Sequence, residues 1–251
     1  MALFRCKTQP GNQCSGCLTD RFGRRLRRVK TLPLLLSMLA LLASWFAFAL
    51  EELEWQALFA KVESHYGERA GKRVRAWHQL QLQGPAATEL ETLEKVNRFF
   101  NRLHWIDDEK LWSETDYWAT PIEFLGANGG DCEDFSIAKY LTLTALGIDD
   151  DKLRIAYVKS LTYNQFHMVV TYYPSPTSVP LVLDNIDGEI KPADQRMDLT
   201  PIYSFNGRNL WLNKARDQGV LAGGSNRLKR WNDLRSRYRV QKLRQPTLNL
   251  E

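Results

Sequence analysis

The chain has 251 residues, of which 44% are hydrophobic and 11% are aromatic, and this is enough for one well-packed domain with additional segments. Its net charge of +5 is unevenly distributed. Residues 1–49 carry eight Lys or Arg and one acidic residue. Residues 50–213 carry sixteen Lys or Arg and twenty-five acidic residues, and residues 214–251 carry ten Lys or Arg and three acidic residues. The middle of the chain is therefore acidic. A nucleic-acid enzyme more often has a basic face on its folded core, so this distribution argues against that class.

The N-terminal residues have the pattern of an export signal. A basic stretch from Arg24 to Lys30 precedes an apolar run at residues 32–50, which closes with Ala47-Phe48-Ala49, a small-x-small triplet of the kind that signal peptidase cleaves. We therefore expect export, with residues 1–49 removed and a mature chain that begins near Leu50. The alternative is an uncleaved membrane anchor, because nineteen residues nearly span a bilayer.

Three of the four cysteines, Cys6, Cys14 and Cys17, lie in this leader. Three cysteines without a histidine do not make a four-ligand zinc site, and we interpret the region as an unstructured leader. After cleavage Cys132 is the only remaining cysteine, so it cannot form an intramolecular disulfide. In an oxidising compartment it is a free thiol, which makes its chemistry the central question.

Helical patterns fill the first half of the mature chain. Apolar residues recur at helical spacing in three segments before Gly129, and a fourth helix ends at Gly147. The predicted helices cover residues 55–62, 74–81, 93–103 and 135–146. Residues 104–120 mix aromatic and acidic side chains without a clear period.

Beyond Gly147 the hydrophobic period changes to two, which predicts strands. Hairpin-type turns are expected at Asp187-Gly188 and Asn206-Gly207. Helices first and an antiparallel sheet afterwards predict an α+β domain over residues 50–213. The predicted strands cover residues 153–161, 166–173, 180–184, 201–205 and 209–212.

Residues 214–251 form a basic C-terminal segment. We expect a hinge at Gly223-Gly224-Ser225, followed by a helix with an apolar stripe. A packed or surface helix is the favoured interpretation, and binding to an acidic partner or a lipid surface is the alternative. The stripe consists of Leu228, Trp231, Leu234 and Tyr238.

Cys132 lies among three carboxylates, those of Asp131, Glu133 and Asp134. Because it precedes a predicted helix, we expect it in the first turn, where the helix dipole and free N–H groups favour a thiolate. Three crowded acids oppose this, since each raises the pKa of the others. A bound Ca²⁺ would resolve the conflict, because carboxylate oxygens are hard ligands. The alternative is that the acids are ordinary stabilising charges at a helix N-terminus.

A thiolate nucleophile needs a base, and the base needs a group that orients it. Among the four histidines, only His167 lies in a predicted strand after the cysteine helix, and Asp184 ends another strand seventeen residues later. A cysteine on a helix, a histidine on a strand and an acid on the next strand form the arrangement of papain-like and transglutaminase-like folds. A purely structural role for His167 is the alternative.

Three segments carry a resemblance to a known family. The string DYWATPIEFLGANGGDCEDFSIAKYLTLTALGI at residues 116–148, together with QFHMVVTY and LVLDNI, resembles the bacterial transglutaminase-like cysteine proteinases, and most closely the LapG-type periplasmic proteases. The resemblance covers residues 55–212, nearly the whole exported domain. It implies a papain-like α+β core with the nucleophile at a helix N-terminus packed on an antiparallel sheet.

The resemblance also implies a function. Such proteases are calcium-dependent, cut a large surface adhesin near its N-terminus at a di-alanine-type site, and release cells from biofilm. They are sequestered by the periplasmic domain of a membrane receptor that senses cyclic di-GMP. No nucleic acid is expected as a partner, and membrane contact is expected only through the leader or the basic tail. A transglutaminase or amidase with the same triad is the alternative enzyme class, and a non-catalytic calcium-binding module is a third reading.

The resemblance assigns roles to residues of this chain. It implies Cys132 as the nucleophile, His167 as the general base and Asp184 as the group that fixes the imidazole tautomer. It implies Asp131 and Glu133 as calcium ligands, with Asp134 beside them. The oxyanion hole would combine the Cys132 backbone N–H with one further donor, for which Trp118, Tyr117 and Asn128 are open.

Overall fold

The structure, a computed structural model, describes residues 31–213 and 219–251. The basic stretch from Arg24 to Lys30 and the three leader cysteines lie outside these residues. The chain divides into two compact units at Trp55/Gln56. The predicted signal segment is helical, within helix α1 (Thr31–Tyr66).

Among the described residues, one helical stretch, Leu36–Tyr66, is long and apolar enough to cross a membrane by length and composition, and an 18-residue window of it has a mean hydropathy of 1.6. A signal sequence near the N-terminus has these properties, and so does a membrane anchor. The apolar helix is therefore consistent with the predicted signal sequence.

The second unit, Gln56–Glu251, contains the predicted helices. Helix α1 ends at Tyr66, immediately before Gly67. The cysteine helix begins at Cys132, which therefore lies in the first turn as predicted. It ends before Gly147, whose φ of 87° suits a residue without a Cβ. The further helices are α2 (Glu68–Leu82), α3 (Glu89–Phe100), α4 (Asp108–Leu111), α5 (Pro121–Ala127), α6 (Cys132–Ala145) and α7 (Lys229–Arg239).

The sheet of the second unit has seven strands, in the order β6-β5-β4-β3-β7-β8-β9, and every neighbouring pair is antiparallel. A separate parallel pair, β1 with β2, lies beside the start of α6. The predicted α+β class is confirmed. The strands are β1 (His104–Trp105), β2 (Gly129–Gly130), β3 (Leu153–Ser160), β4 (Gln165–Tyr172), β5 (Leu181–Leu183), β6 (Lys191–Pro192), β7 (Leu199–Phe205), β8 (Asn209–Leu212) and β9 (Val220–Gly224).

Packing of α6 against the sheet sets the geometry of the site. Helix α6 lies on β3 and β4, while α3 and α5 pack on α6 from the other side. Ile137 and Leu143 of α6 are fully buried. The N-terminus of this helix therefore sits next to β4, the strand that carries His167.

The C-terminal segment differs from expectation at one point. The glycine pair predicted as a hinge pairs with β8 as the end of β9, with Gly223 opposite Leu210 and Gly224 opposite Asn209. Trp231 on α7 is buried, with its ring centroid 5.9 Å from that of Tyr140. These contacts favour the packed-helix interpretation of the apolar stripe.

A buried carboxylate ties the C-terminal segment to α5. Glu123 has no solvent exposure and accepts hydrogen bonds from the Thr120 N–H at 2.8 Å and the Tyr117 hydroxyl at 2.8 Å. Arg237 Nη1 donates to it at 2.7 Å and the Arg244 N–H at 3.1 Å. The counter-charge of this glutamate thus comes from the end of the chain.

Candidate active site

Cys132 is the first residue of α6 and is half-buried. The preceding loop approaches the helix so closely that a Cβ at Gly130 would collide with the carboxylate of Asp134. Glycine is therefore the residue that allows this turn into the helix. The backbone N–H groups of the first helical turn have no partner within the helix and are free to bind other acceptors near its N-terminus.

His167 lies on β4 and is buried, with its Nε2 2.7 Å from Oδ1 of Asp184. The backbone of Met168, the next residue, hydrogen-bonds the Cys132 sulfur. The fold thus brings the three predicted catalytic residues to one place, the N-terminus of α6 against β4. Since Nε2 is engaged by Asp184, the ring nitrogen that remains for the cysteine is Nδ1.

Asp184 directly follows β5 and is buried. Its Oδ1 also accepts the N–H of Ile186 at 3.0 Å, and its Oδ2 accepts Arg196 Nη2 at 2.8 Å. Burial alone would raise the pKa of Asp184, but the hydrogen bonds and charge of His167, with those of Ile186 and Arg196, lower it to about 2. The carboxylate is ionised at neutral pH.

The acids around Cys132 belong to a larger cluster than the sequence predicted. Asp131, Glu133 and Asp134 are joined by Asp108 from α4 and Asp116 from the following loop. Three overlapping groups of side chains each place their ligand atoms within 4.8 Å of one another. These groups are Asp131–Cys132–Glu133, Asp108–Asp131–Asp134 and Asp108–Asp116–Glu133.

Crowding of these carboxylates without a cation is unfavourable. Burial, followed by neighbouring negative charge, raises the pKa of Asp108 to about 7 and that of Asp131 to about 12. The same causes raise the pKa of Asp116 and Asp134. Burial and then the charges of Glu133 and Asp131 also raise the pKa of the Cys132 thiol well above its ordinary value. A thiolate at this position needs compensating positive charge.

The unused ligand atoms fit a hard cation. Oδ1 of Asp108, Oδ1 of Asp131 and Oδ2 of Asp134 are buried and have no hydrogen-bond partner among the described residues. Asp131 occupies the N-cap position of α6, yet its side chain makes no capping hydrogen bond. Several carboxylate oxygens from three segments are the donor set that Ca²⁺ prefers. This arrangement goes beyond ordinary helix-terminal charge.

Comparison with known proteins places this geometry in a family. Residues 67–206 match the bacterial transglutaminase-like cysteine proteinases, BTLCP. The chain belongs to this family. Among curated proteins there is no significant match.

Solved structures of LapG from Legionella pneumophila resemble the proteinase closely. The EGTA-treated form is 43% identical with a TM-score of 0.65, and the match covers 73% of this chain and 96% of that one. The calcium-bound form is 42% identical with a TM-score of 0.63, covering 73% and 98%. The chain is therefore a transglutaminase-like cysteine proteinase with a LapG-like fold.

The geometry of the proteinase narrows the choice of oxyanion-hole donor. The Tyr117 hydroxyl is engaged by Glu123 and Arg237, and Asn128 Nδ2 donates to the carbonyl of Leu250 at 3.0 Å. The Trp118 side chain hydrogen-bonds Asp116, an acid of the cluster beside Cys132. Of the three open candidates, Trp118 is the one whose hydrogen-bond partner belongs to the acidic cluster, although its N–H is already donated to Asp116.

An aromatic row flanks Cys132 in the proteinase. The rings of Phe166, Tyr157 and Tyr203 are stacked across β4, β3 and β7, with centroids 5.2 and 5.0 Å apart. Burial and then the charges of Asp116, Cys132 and Glu133 raise the pKa of Tyr157, which places its hydroxyl near the acidic cluster. The Phe166 side chain is exposed. This row offers a flat apolar surface next to the thiol.

Sequence reasoning missed Asp108, Asp116 and Arg196. The excess of acids in residues 104–120 was a signal for the first two, because five acids there face only one lysine. Nothing around Arg196 in the sequence connects it with Asp184, twelve residues earlier.

Proposed function

We propose that Cys132, His167 and Asp184 are the catalytic triad of a calcium-dependent endopeptidase. The observation that carries the proposal is the placement of Cys132 at the N-terminus of α6 beside β4, where His167 is hydrogen-bonded to Asp184. This order of nucleophile, base and orienting acid supports acyl transfer.

In the proposed reaction, His167 accepts the thiol proton of Cys132 and the sulfur attacks the carbonyl carbon of the scissile peptide bond. The oxyanion that forms is stabilised by the Cys132 backbone N–H and by one further donor; the Trp118 N–H can serve if it leaves Asp116. His167 then donates its proton to the leaving amine, which leaves a thioester on Cys132. Water, deprotonated by His167, attacks the thioester and releases the new C-terminus.

Asp184 holds the imidazole in the tautomer that this chemistry requires. With Nε2–H donated to Asp184, the neutral ring keeps its lone pair on Nδ1, the nitrogen available to Cys132. Asp184 is ionised because its pKa lies at about 2, so it also stabilises the imidazolium that forms.

The acidic cluster supports calcium dependence. Asp108, Asp116, Asp131, Glu133 and Asp134 would hold the ion through their carboxylate oxygens. When bound, Ca²⁺ supplies the positive charge that lowers the pKa of the Cys132 thiol and fixes the loop that carries it. The Legionella homologue has been solved in a calcium-bound form, which supports the same cation here.

We further propose that the proteinase acts in the periplasm on the N-terminal region of a large surface adhesin and thereby promotes release from biofilm. It would be held inactive by the periplasmic domain of a cyclic-di-GMP-responsive inner-membrane receptor. The apolar helix near the N-terminus and the similarity to LapG support this proposal.

The test is incubation of the mature chain, with residues 1–49 removed, with N-terminal fragments of large repeat adhesins from the same genome. Each fragment is treated with Ca²⁺ or with EGTA, and Cys132→Ala serves as the matched control. A new N-terminus that appears only with the wild-type protein and Ca²⁺ supports the proposal. Crosslinked products without cleavage would favour a transglutaminase instead.

A further inference from the structure

Arg196 holds the oxygen of Asp184 that faces away from His167. Arg196 follows the short 3₁₀ turn Ala193–Gln195, and its Nη2 lies 2.8 Å from Asp184 Oδ2. The two side chains are 5% and 0% exposed, so the ion pair is shielded from water. A buried charge-assisted hydrogen bond of this kind is strong and directional.

Asp198 in turn fixes Arg196. It accepts Nε at 2.9 Å on Oδ1 and Nη2 at 2.8 Å on Oδ2, which is a bidentate pair. Burial would lower the pKa of Arg196, but hydrogen bonds to Asp198 and Asp184 raise it above its ordinary value. The guanidinium therefore stays charged and has one orientation.

We propose that Arg196 is a positioning residue for the proteolytic reaction and that Asp198 acts through it. This inference rests on the proposed triad. A carboxylate can rotate about its Cβ–Cγ bond, and both its oxygens must be fixed if one is to face an imidazole permanently. Arg196 fixes Oδ2, and this keeps Oδ1 on His167 Nε2 and so aims Nδ1 at Cys132.

The other groups around Asp184 do not replace Arg196. Ile186 donates its N–H to Oδ1, the same oxygen that His167 uses, and Asn101 Nδ2 donates to the backbone carbonyl of Asp184. Lys139 on α6 is a further charged side chain near Asp184, and its ammonium lies 5.8 Å from the centre of the Phe135 ring. Arg196 is therefore the side chain hydrogen-bonded to Oδ2.

The experiment compares four variants of the mature chain with the wild type on one substrate fragment. Arg196→Met removes the ion pairs with Asp184 and Asp198. Arg196→Lys keeps the positive charge but cannot form the bidentate hydrogen bonds. Asp198→Asn removes the negative charge that pairs with Arg196. Arg208→Met is the matched control, because Arg208 is also paired with two acids, Asp150 and Asp151, but on the surface. We measure kcat, KM, melting temperature and the low-field proton resonance of the His167–Asp184 hydrogen bond.

We expect Arg196→Met to lower kcat about 10- to 100-fold with little change in KM, as for other residues that orient a reacting group. The low-field resonance should weaken, Arg196→Lys should recover part of kcat, and Arg208→Met should behave as wild type. The double variant Arg196→Met/Asp198→Asn should be no slower than Arg196→Met, because Asp198 acts through Arg196.

Unchanged kcat and resonance in Arg196→Met would overturn the proposal, as would losses that multiply in the double variant. If Arg196→Met does not fold, the same conclusions are drawn from Arg196→Lys and Asp198→Asn. Cys132→Ala is assayed alongside. Full activity of Cys132→Ala refutes the proposed triad itself, whereas an inactive Cys132→Ala with a fully active Arg196→Met refutes only the positioning role.

Discussion

His167 Nε2 lies 2.7 Å from Asp184 Oδ1, although His167 lies on β4, Asp184 follows β5, and the two are separated by seventeen positions in the chain. The antiparallel pairing of β4 with β5 makes this contact, because it places Leu183, the last residue of β5, opposite Val170 and brings Asp184 next to the part of β4 that carries His167. The orientation of the His167 imidazole thus depends on the register in which β4 and β5 pair. A shift of the β4–β5 register would separate the pair without substituting either residue.

Loss of the nucleophile should abolish cleavage while the fold remains. We expect Cys132→Ala and His167→Ala each to lower kcat by at least about 10³-fold, because members of a triad act as a unit. Cleavage of the adhesin fragment measures the activity, and circular dichroism checks the fold. Activity near that of the wild type in the Cys132 variant would remove this residue from the mechanism.

The mature protein should begin near Leu50, after Ala49. Signal peptidase cuts after a small-x-small triplet, and Ala47-Phe48-Ala49 closes the apolar run. Mass spectrometry of the protein from a periplasmic extract gives the terminus directly, and Ala49→Leu is the variant that should block cleavage. Detection of peptides with Cys14 and Cys17 in the mature species would contradict this prediction.

Chelation by EGTA should stop cleavage, and added Ca²⁺ should restore it better than Mg²⁺. Magnesium requires octahedral coordination with short metal–oxygen distances and retains several water ligands.

Substitution of the clustered acids should weaken calcium binding, which titration calorimetry measures. The variants are Asp131→Ala, Glu133→Ala, Asp108→Asn and Asp116→Asn. The melting temperature of the wild type should rise with Ca²⁺, because a ligand that binds only the folded state stabilises it. Asp107→Asn is a control, since Asp107 pairs with Lys110 outside the cluster. If the cleavage rate and the melting temperature are the same with EGTA and with Ca²⁺, the calcium site is contradicted and the acids are ordinary charges at a helix N-terminus.

Stability of the calcium-free protein should fall as the pH rises from 5 to 7. The pKa of Asp108 is raised from 3.8 to about 7 on folding, so the folded state holds a proton that the unfolded state has lost over this range. Stability is then highest at low pH and is lost as the pH approaches the folded pKa. Above pH 7 the lowered pKa of Lys139, about 7, acts in the opposite sense, so the range is limited to pH 5–7.

Thermal unfolding at several pH values, with EGTA and with saturating Ca²⁺, checks this dependence. Calcium binds the ionised carboxylates, so its stabilising effect should grow with pH over the same range. Asp108→Asn should make the EGTA curve less steep, because it removes one of the carboxyls whose pKa is raised, while Asp116, Asp131 and Asp134 remain. If the curves of melting temperature against pH are parallel with and without calcium, the prediction is contradicted.

Sequence patterns predicted the parts of the fold that depend on local periodicity. The cysteine helix, the histidine strand and the hairpin at Asn206-Gly207 follow from apolar spacing and turn residues, and the structure confirms these elements. Asp108, Asp116 and Arg196 lie in segments without a period, where only the tertiary packing decides what a side chain meets. Their partners are therefore visible in the structure and not in the sequence.

Loss of Arg237 should destabilise the fold. Arg237→Met leaves the carboxylate of Glu123 buried without its ionic partner, which should cost about 3 kcal/mol of unfolding free energy. Denaturant unfolding measures the loss, and Arg239→Met on the exposed side of the same helix is the control. Equal stability of the two variants would show that the Tyr117 hydroxyl and backbone N–H groups suffice for Glu123.

The contacts of Glu123 also bear on the order in which the protein is made. Glu123 lies on α5, which packs on the cysteine helix, and its cationic partner Arg237 is synthesised 114 residues later. A chain that emerges N-terminus first holds this glutamate without its counter-charge until its last residues are free. The packing of α5 on the cysteine helix consequently gains this ion pair only after Arg237 has been synthesised, so the surroundings of Cys132 are completed late.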